Sequence, residues 1–404
     1  MRTLNLSKLD EILKNGTKEE LNEFCSANNL KIVDNKILPV DKDACKDAIG
    51  YWDKKQHVRK LQLNGLYGTL LNSGCRFFDQ RLGQSTTLSG RQVVKHMTAK
   101  VNELITGKYD YLGESIIYND TDSVYFSAYP AMKPHIESGD IPWDKDTVVK
   151  VYDQLGELVN DSFPDFMYKA FHCPQDRGAL IKSGREIVAT KALFITKKRY
   201  AALCYDIEGK RLDIEDKPGK VKAMGLDLKR ADTPEFMQDF LSEILEKVLT
   251  GVDQNIILDR ITEFRKEFKT RPGWEKGTPK RVNNLGKFEK LENDKGKANL
   301  PGHVRASLNW NVLKKLNRDK YAMSIMDGFK VIVCKLKPNP MGYTSVAYPI
   351  DELRLPDWFK ELPFDHEAME DAIIDAKLDN LIGILNWDVD STKRNNTFND
   401  LFEF

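Results

Sequence analysis

Tyr118-Asn-Asp-Thr-Asp122-Ser123 lies between two short apolar runs, Ser115-Ile-Ile-Tyr118 and Val124-Tyr-Phe126. β-Branched and aromatic residues on either side of a cluster of turn formers predict a β-hairpin with its turn at Asn119–Asp122. Strand side chains alternate between faces, so Asp120 and Asp122 project to one side of the tip. Two carboxylates held that close repel unless a cation sits between them. A hard divalent ion such as Mg²⁺ meets that demand with carboxylate and backbone oxygens. Two such ions can polarise a phosphate, activate an attacking oxygen and stabilise a leaving pyrophosphate. A plain polar turn uses the same residue types, and the pattern by itself leaves both readings open.

A hairpin tip of this kind needs a scaffold, and 404 residues suffice for two or three domains with at least one sizeable core. No apolar run reaches bilayer-spanning length, and the start turns charged too early for a signal peptide. Secretion and membrane insertion are therefore not expected. The six cysteines are scattered, with no C-x-x-C pair and no histidine at zinc-ligand spacing, so they read as reduced thiols of a cytosolic protein. Charge nearly cancels, with 62 Lys and Arg against 61 Asp and Glu. Its distribution is uneven. Arg265 to Lys290 is rich in Lys and Arg, including Arg265, Lys276, Lys280 and Arg281, whereas Asp351 to Asp390 is acidic. A basic stripe on one face suits phosphate binding, and solvated surface charge is the alternative.

Residues 1–41 read as a small helical unit, with a capping box at Thr17-Lys-Glu-Glu20. A helix from about Asp43 to Leu66 follows, with Ala44, Ala48, Trp52, Val58 and Leu61 as its apolar stripe and Gly68 as its stop. More helix is expected at 86–105 and 146–171. Strands are expected at Ala179–Lys182, Ile187–Thr190, Arg199–Asp206 and Leu212–Ile214, and Thr233-Pro234 should start an amphipathic helix. Pro272 to Pro301 reads as loop. On the first long helix, Lys60, Asn64 and Tyr67 share one face ahead of Gly68. An ammonium, an amide and a phenol together would suit a nucleoside triphosphate, although a polar helix face ended by glycine has the same spacing.

The two motifs, in this order, resemble those of the B-family DNA polymerases. Lys60 to Gly68 is similar to K-x-x-x-N-S-x-Y-G, and Tyr118 to Ser123 to Y-G-D-T-D-S. Lys182-Ser-Gly-Arg-Glu186-Ile resembles the strand bearing an auxiliary palm carboxylate, Thr196-Lys-Lys-Arg-Tyr200 the K-K-x-Y element at the primer end, and Ala223 to Pro234 the palm-to-thumb passage. Within the family the chain is most similar to the replicative polymerases of T-even type tailed phages, from about residue 42 onwards. The resemblance implies an α+β fold: an antiparallel palm sheet with flanking helices, then a mainly helical thumb, after a small helical N-terminal extension. The implied divisions are 1–41 for the extension, 42–68 for a fingers helix, 69–232 for the palm, 233–395 for the thumb and 396–404 for a tail. Asp120 and Asp122 would be catalytic and would ligate two Mg²⁺ ions, with Glu186 as a supporting carboxylate. Lys60, Asn64 and Tyr67 would face the incoming dNTP. Tyr118, Thr121, Lys197, Lys198, Arg199 and Tyr200 would touch primer–template DNA.

Departures from the family pattern shape the expected function. Gly65 stands where Ser is usual, and Asn119 precedes the first aspartate where Gly is usual, which Asn tolerates by accepting left-handed turn geometry. No D-x-x-S-L-Y-P-S element, exonuclease carboxylate motif or second fingers helix precedes residue 42. The expected protein is therefore the C-terminal subunit of a split DNA-directed DNA polymerase. A partner chain would supply the exonuclease, the rest of the fingers and the remaining palm aspartate, with residues 1–41 as a docking unit. A catalytically inactive DNA- and clamp-binding subunit is the alternative. Lys280, Arg281, His303 and Arg305 lie in stretches of cations, small polar residues and aromatics suited to phosphate contact. Phe398, Leu401, Phe402 and Phe404 close the chain, and the resemblance implies that they bind a sliding clamp. A cytoplasmic location, in a host cell if phage-encoded, completes the expectation.

Overall fold

A computed structural model of the chain describes residues 6–33, 36–214, 217–295 and 300–393. The chain divides into two compact units, Met1–His96 and Met97–Phe404. The tail residues Phe398, Leu401, Phe402 and Phe404 lie outside the described residues.

The first unit opens with α1 (Leu6–Asn15) and α2 (Lys18–Ala27). The expected capping box is present: the Glu20 amide donates to Thr17 Oγ1 at 3.3 Å, and the Thr17 amide donates to Glu20 Oε2 at 2.8 Å. An antiparallel hairpin, β1 (Leu30–Val33) with β2 (Lys36–Pro39), then follows, which the helical reading of residues 1–41 had not included. Asn29, left-handed at φ 56°, turns the chain between α2 and this hairpin.

Helix α3 spans Lys42–Leu71, with Asp41 capping the amides of Asp43 and Ala44 at 3.0 Å each. It does not stop at Gly68. Glycine weakens a helix interior by about 1 kcal/mol without forbidding it, and the turns on both sides carry the helix through to Asn72. None of its 30 residues is buried. The stripe of Trp52, Val58 and Leu61 is exposed and belongs to no core cluster among the described residues. Helix α4 (Gln80–Thr106) leads into the second unit.

There the acidic hairpin pairs β3 (Ile116–Asp120) with β4 (Ser123–Phe126). Helices α5 (Tyr129–Glu137), α6 (Lys145–Phe171) and α7 (Gln175–Gly178) follow. Ala179–Lys182 is not a strand. Its amides bond back locally, Ala179 to the Gln175 carbonyl and Ile181 to that of Gly178, so no ladder partner is needed. The main antiparallel sheet contains β5 (Ile187–Thr196), β6 (Arg199–Ile207), β7 (Lys210–Arg211) and β8 (Lys220–Met224). Strand β6 is its centre, pairing with β5 on one side and with β8 and β7 on the other. The last expected strand thus falls at 210–211 rather than 212–214, because a two-residue turn at Glu208-Gly209 returns the chain at once.

One face of this sheet, through Ala201, Leu203 and Ala223, packs on α8 (Glu235–Thr250) and α9 (Gln254–Thr270). Helix α8 begins after Pro234 rather than at Thr233, whose buried hydroxyl finds no hydrogen-bond partner among the described residues. The chain then builds a second core. Strands β9 (Thr278–Arg281), β10 (Lys330–Lys335) and β11 (Ser345–Pro349) form an antiparallel sheet around Trp310 of α11 (Gly302–Leu316). The stretch 272–301 therefore holds both β9 and a helix, α10 (Leu285–Lys295), not only loop. Beyond the short α12 (Asp357–Lys360) the chain returns to the first core through α13 (His366–Glu370), a π-helical stretch at Asp371–Asp375, and α14 (Ala376–Ile382). The architecture is α+β, with every sheet antiparallel and residues 233–393 mostly helical. Among the described residues no helix is long and apolar enough to cross a membrane.

The basic stripe is not one surface. Arg265 is 3% exposed and reaches Glu370 at 2.9 Å, Asp375 and the Thr392 hydroxyl at 2.9 Å. Lys276 is 1% exposed; its ammonium donates to the Lys269 carbonyl at 3.0 Å and lies 2.7 Å from His366 Nδ1. The basic and acidic runs thus partly neutralise one another inside the fold. Charge density along a sequence does not say which way the side chains face.

Candidate active site

The hairpin is fixed by aromatic packing onto the second face of the sheet. Side chains alternate along β6, so Tyr200 points away from the helices that Ala201 contacts. Tyr118 and Tyr125, a cross-strand pair of the hairpin, meet Phe194 and Tyr200, with ring centroids 5.1–5.8 Å apart throughout the cluster. Such pairs contribute about 0.5–1.5 kcal/mol each beyond the area they bury. Two polar contacts add direction. The Lys198 amide donates to the Tyr118 hydroxyl at 2.7 Å, and the hydroxyls of Tyr125 and Tyr200 lie 2.5 Å apart. Burial pushes the Tyr200 phenol well up; the hydrogen bond with Tyr125 and the charges of Glu186 and Asp120 add to it. Tyr200 stays a neutral phenol across the physiological range.

Two tight turns face one another at this end of the sheet. In the hairpin, Asp120 pairs with Ser123, so the turn is Thr121-Asp122 and the left-handed residue is Thr121 at φ 44°. Asn119 is not in that turn: it is extended strand opposite Val124, and its Oδ1 accepts from the Thr98 hydroxyl at 3.3 Å. In the second turn, between β5 and β6, Lys198 is left-handed at φ 64°. Non-glycine residues in this region mark turns, strain or functional constraint.

Asp120 is one-quarter exposed, accepts from the Thr121 hydroxyl at 3.0 Å and lies 3.8 Å from the Lys198 ammonium. Asp122 is exposed. The Lys198 ammonium thus stands beside the first carboxylate. Lys197 is exposed as well. Arg199 turns inward, its guanidinium donating to Asp227 at 3.0 Å and to the Asn380 carbonyl at 3.3 Å. Glu186 accepts from the Lys222 ammonium.

Among the described residues no three His, Cys, Asp or Glu side chains come together as a metal-holding group. Asp120 and Asp122 fit part of the ligand set of a hydrated Mg²⁺, which binds through one or two carboxylates and keeps several waters. By themselves they do not complete a two-ion site. Lys60 and Asn64 lie exposed on α3 in the first unit, and Tyr67 is half-buried there. Elsewhere in the second unit, Lys280 pairs with Asp232 at 3.0 Å, and Arg281 donates to the Gly328 carbonyl at 3.3 Å. Burial, with the nearby Lys280 charge, pushes the His303 imidazole below its usual value. Arg305, like His303, is half-buried on α11. Sequence reasoning did not single out Tyr125, Phe194, Lys222 or Asp227. The alternation along β3–β6 would have found the two aromatics, whereas the charged partners are visible only in three dimensions.

The sequence model of DNA polymerase family B matches residues 35–138. A DNA-directed DNA polymerase of Enterobacteria phage T4 is 25% identical over 370 residues, 86% of this chain and 40% of that protein. The DNA-directed DNA polymerase of Escherichia phage RB69 is 30% identical over 305 residues, 72% of this chain and 32% of that protein. By sequence, this is a relative of the family B DNA polymerases. A DNA polymerase of Paramecium bursaria Chlorella virus NY2A is also similar, 28% identical over 213 residues, 52% of this chain and 19% of that protein. The chain spans less than half the length of the polymerases it matches. The family match includes both the helix with Lys60, Asn64 and Tyr67 and the Asp120–Asp122 hairpin.

Proposed function

We propose that this chain is the palm-and-thumb part of a DNA-directed DNA polymerase that adds deoxynucleotides to a primer 3′ end. The observation behind the reading is the acidic hairpin clamped by Tyr118, Tyr125, Phe194 and Tyr200 beside a lysine turn, in a relative of DNA polymerases. Asp120 and Asp122 offer carboxylate oxygens, and a further aspartate from polypeptide outside these residues completes the site. Two Mg²⁺ ions bound there would activate the primer hydroxyl and neutralise the departing pyrophosphate. Lys197 and Lys198 neutralise primer phosphates, with Thr121 and Tyr118 alongside, and Tyr200 contacts the primer terminus as a neutral donor. Lys60 and Asn64 meet the triphosphate, and Tyr67 checks the nascent base pair. Glu186, held by Lys222, contributes negative charge near the site.

The remaining polymerase parts come from a partner chain, which residues 1–41 help to dock. Helix α3 supports that reading: Ile49, Tyr51, Trp52, Leu61, Leu63 and Leu66 are each at least half exposed, more apolar surface than one helix ordinarily leaves in water. Lys280, Arg281, His303 and Arg305 grip the duplex backbone, and the C-terminal residues bind a sliding clamp. Primer extension by this chain alone, and mixed with a polypeptide bearing D-x-x-S-L-Y-P-S, tests the reading. Synthesis only in the mixture, lost in Asp122→Ala, supports it. Primer–template binding without synthesis in any mixture would instead favour the silent DNA- and clamp-binding subunit.

A further inference from the structure

Asp227 lies in the turn after β8 and is 4% exposed. Its carboxylate accepts from Lys377 Nζ at 2.7 Å, the Arg199 guanidinium at 3.0 Å and Asn380 Nδ2 at 3.2 Å, with Arg230 Nε 3.9 Å away. A buried carboxylate is costly unless it is so paired. Three of these donors come from two distant elements. Arg199 begins β6, directly after the Lys197-Lys198 turn, whereas Lys377 and Asn380 lie on α14, which returns from the far end of the chain. Arg199 also donates to the Asn380 carbonyl, so the start of β6 is bound to α14 twice.

The same segment presses on the turn through its backbone. Gly225, at φ +65°, sits so close to the Lys198 carbonyl that a Cβ there would lie 2.0 Å from that oxygen. Only glycine fits. Lys198 is itself left-handed, an uncommon conformation that surrounding contacts must hold. From that geometry its amide donates to Tyr118, and its ammonium approaches Asp120.

We propose that Asp227 is a positioning residue for the acidic hairpin. By fixing Arg199 against α14, it holds the Lys198 turn in the one conformation that reaches Tyr118 and Asp120. The inference deepens the polymerase reading, since the hairpin's placement matters only if it acts on a ligand. Asp227 touches neither the reacting atoms nor the hairpin itself. Its removal should therefore loosen the turn while leaving the α8–α9 core intact.

Amide hydrogen exchange on the full chain reads this directly. Asp227→Asn, which keeps the shape and removes the charge, should speed exchange of the Lys198 amide by about tenfold or more, the scale of one charged hydrogen bond lost. Amides of α8 should change by less than about twofold on the same free-energy scale. Asn380→Ala, a milder change, should produce an intermediate acceleration at the same amide. In the assembled enzyme, Asp227→Asn should lower kcat for primer extension with little change in KM for nucleotide. Unchanged exchange at Lys198, or equal acceleration throughout β6 and α8, would overturn the inference and leave Asp227 an ordinary stabilising residue. Asp122→Ala with full extension activity would instead defeat the polymerase reading, whatever the exchange shows.

Discussion

Helices α3 and α8 make opposite use of their apolar residues. The first runs for 30 residues and buries none. The second runs for 16 and buries six: Met237, Phe240, Leu241, Ile244, Leu245 and Leu249. Tertiary packing of an apolar face supplies most of a helix's stability in a protein. Helix α8 has that packing within the chain, with Phe240 stacked on Phe264 of α9 at 3.6 Å between centroids. Helix α3 does not. Its Tyr51, Trp52 and Lys55 contact one another, through an edge-to-face ring pair and an ammonium 4.7 Å above the Trp52 ring. The apolar residues of α8 thus build the core of the second unit, whereas those of α3 lie exposed.

That contrast can be broken by mutation. Arg265→Ala takes from Glu370 its buried guanidinium partner and leaves Asp375 with Lys393 alone, 3.1 Å away, and should cost about 3–5 kcal/mol of stability in denaturant unfolding. The double change Leu61→Ser and Leu66→Ser on α3 should shift unfolding by less than about 1 kcal/mol, since surface changes seldom exceed about 0.5 each. A cost from α3 equal to that of Arg265 would end the comparison.

Acid sharpens it next. Burial first, then the Lys276 and Lys337 charges, hold the His366 imidazole below its usual value, with Asp365 opposing; burial and Lys280 do the same to His303. A histidine whose folded pKa is depressed contributes stability above its unfolded value, about 6.5, which is lost as pH falls through that value and on to the folded one. The thermal midpoint of the second core should therefore drop as pH falls through about 6.5 and below. Replacing His366 with Gln should remove part of that dependence. Burial pushes the Asp232 carboxyl up, but hydrogen bonds and charges from Arg230 and Lys280 outweigh it and hold the group at about 2. Its share of stability, present above the ordinary carboxylate value, is lost only as pH falls from about 4 towards 2, well below the histidine window. The smallest effect belongs to Gly65→Ala. No atom lies within 4 Å of the added methyl group, so α3 should gain up to about 1 kcal/mol in helicity with no clash.

The acidic hairpin was legible because its signals are local: two apolar runs, a turn cluster and two aspartates within the twelve residues Ser115–Phe126. The capping box at Thr17 was legible for the same reason. The interior fate of Arg265 was not, because its partner Glu370 lies 105 residues later. Lys198 shows the intermediate case. Its sequence marks it as a cation beside a primer-type motif, yet its backbone role depends on Tyr118, 80 residues earlier. Gly68 misled because glycine reads as a stop only where the chain has somewhere else to turn, and here it turns at Asn72. The strands at 330–335 and 345–349 escaped because each is a run of only five or six residues, and no tight turn joins the two as it joins the acidic hairpin.

Template-dependent incorporation of a single labelled nucleotide tests the proposed function most directly, using this chain together with a polypeptide that bears the D-x-x-S-L-Y-P-S element. With Mg²⁺, the mixture should extend the primer by the complementary nucleotide, and replacing Asp122 by alanine should reduce the rate to background. Extension that persists undiminished without Asp122 would contradict the account.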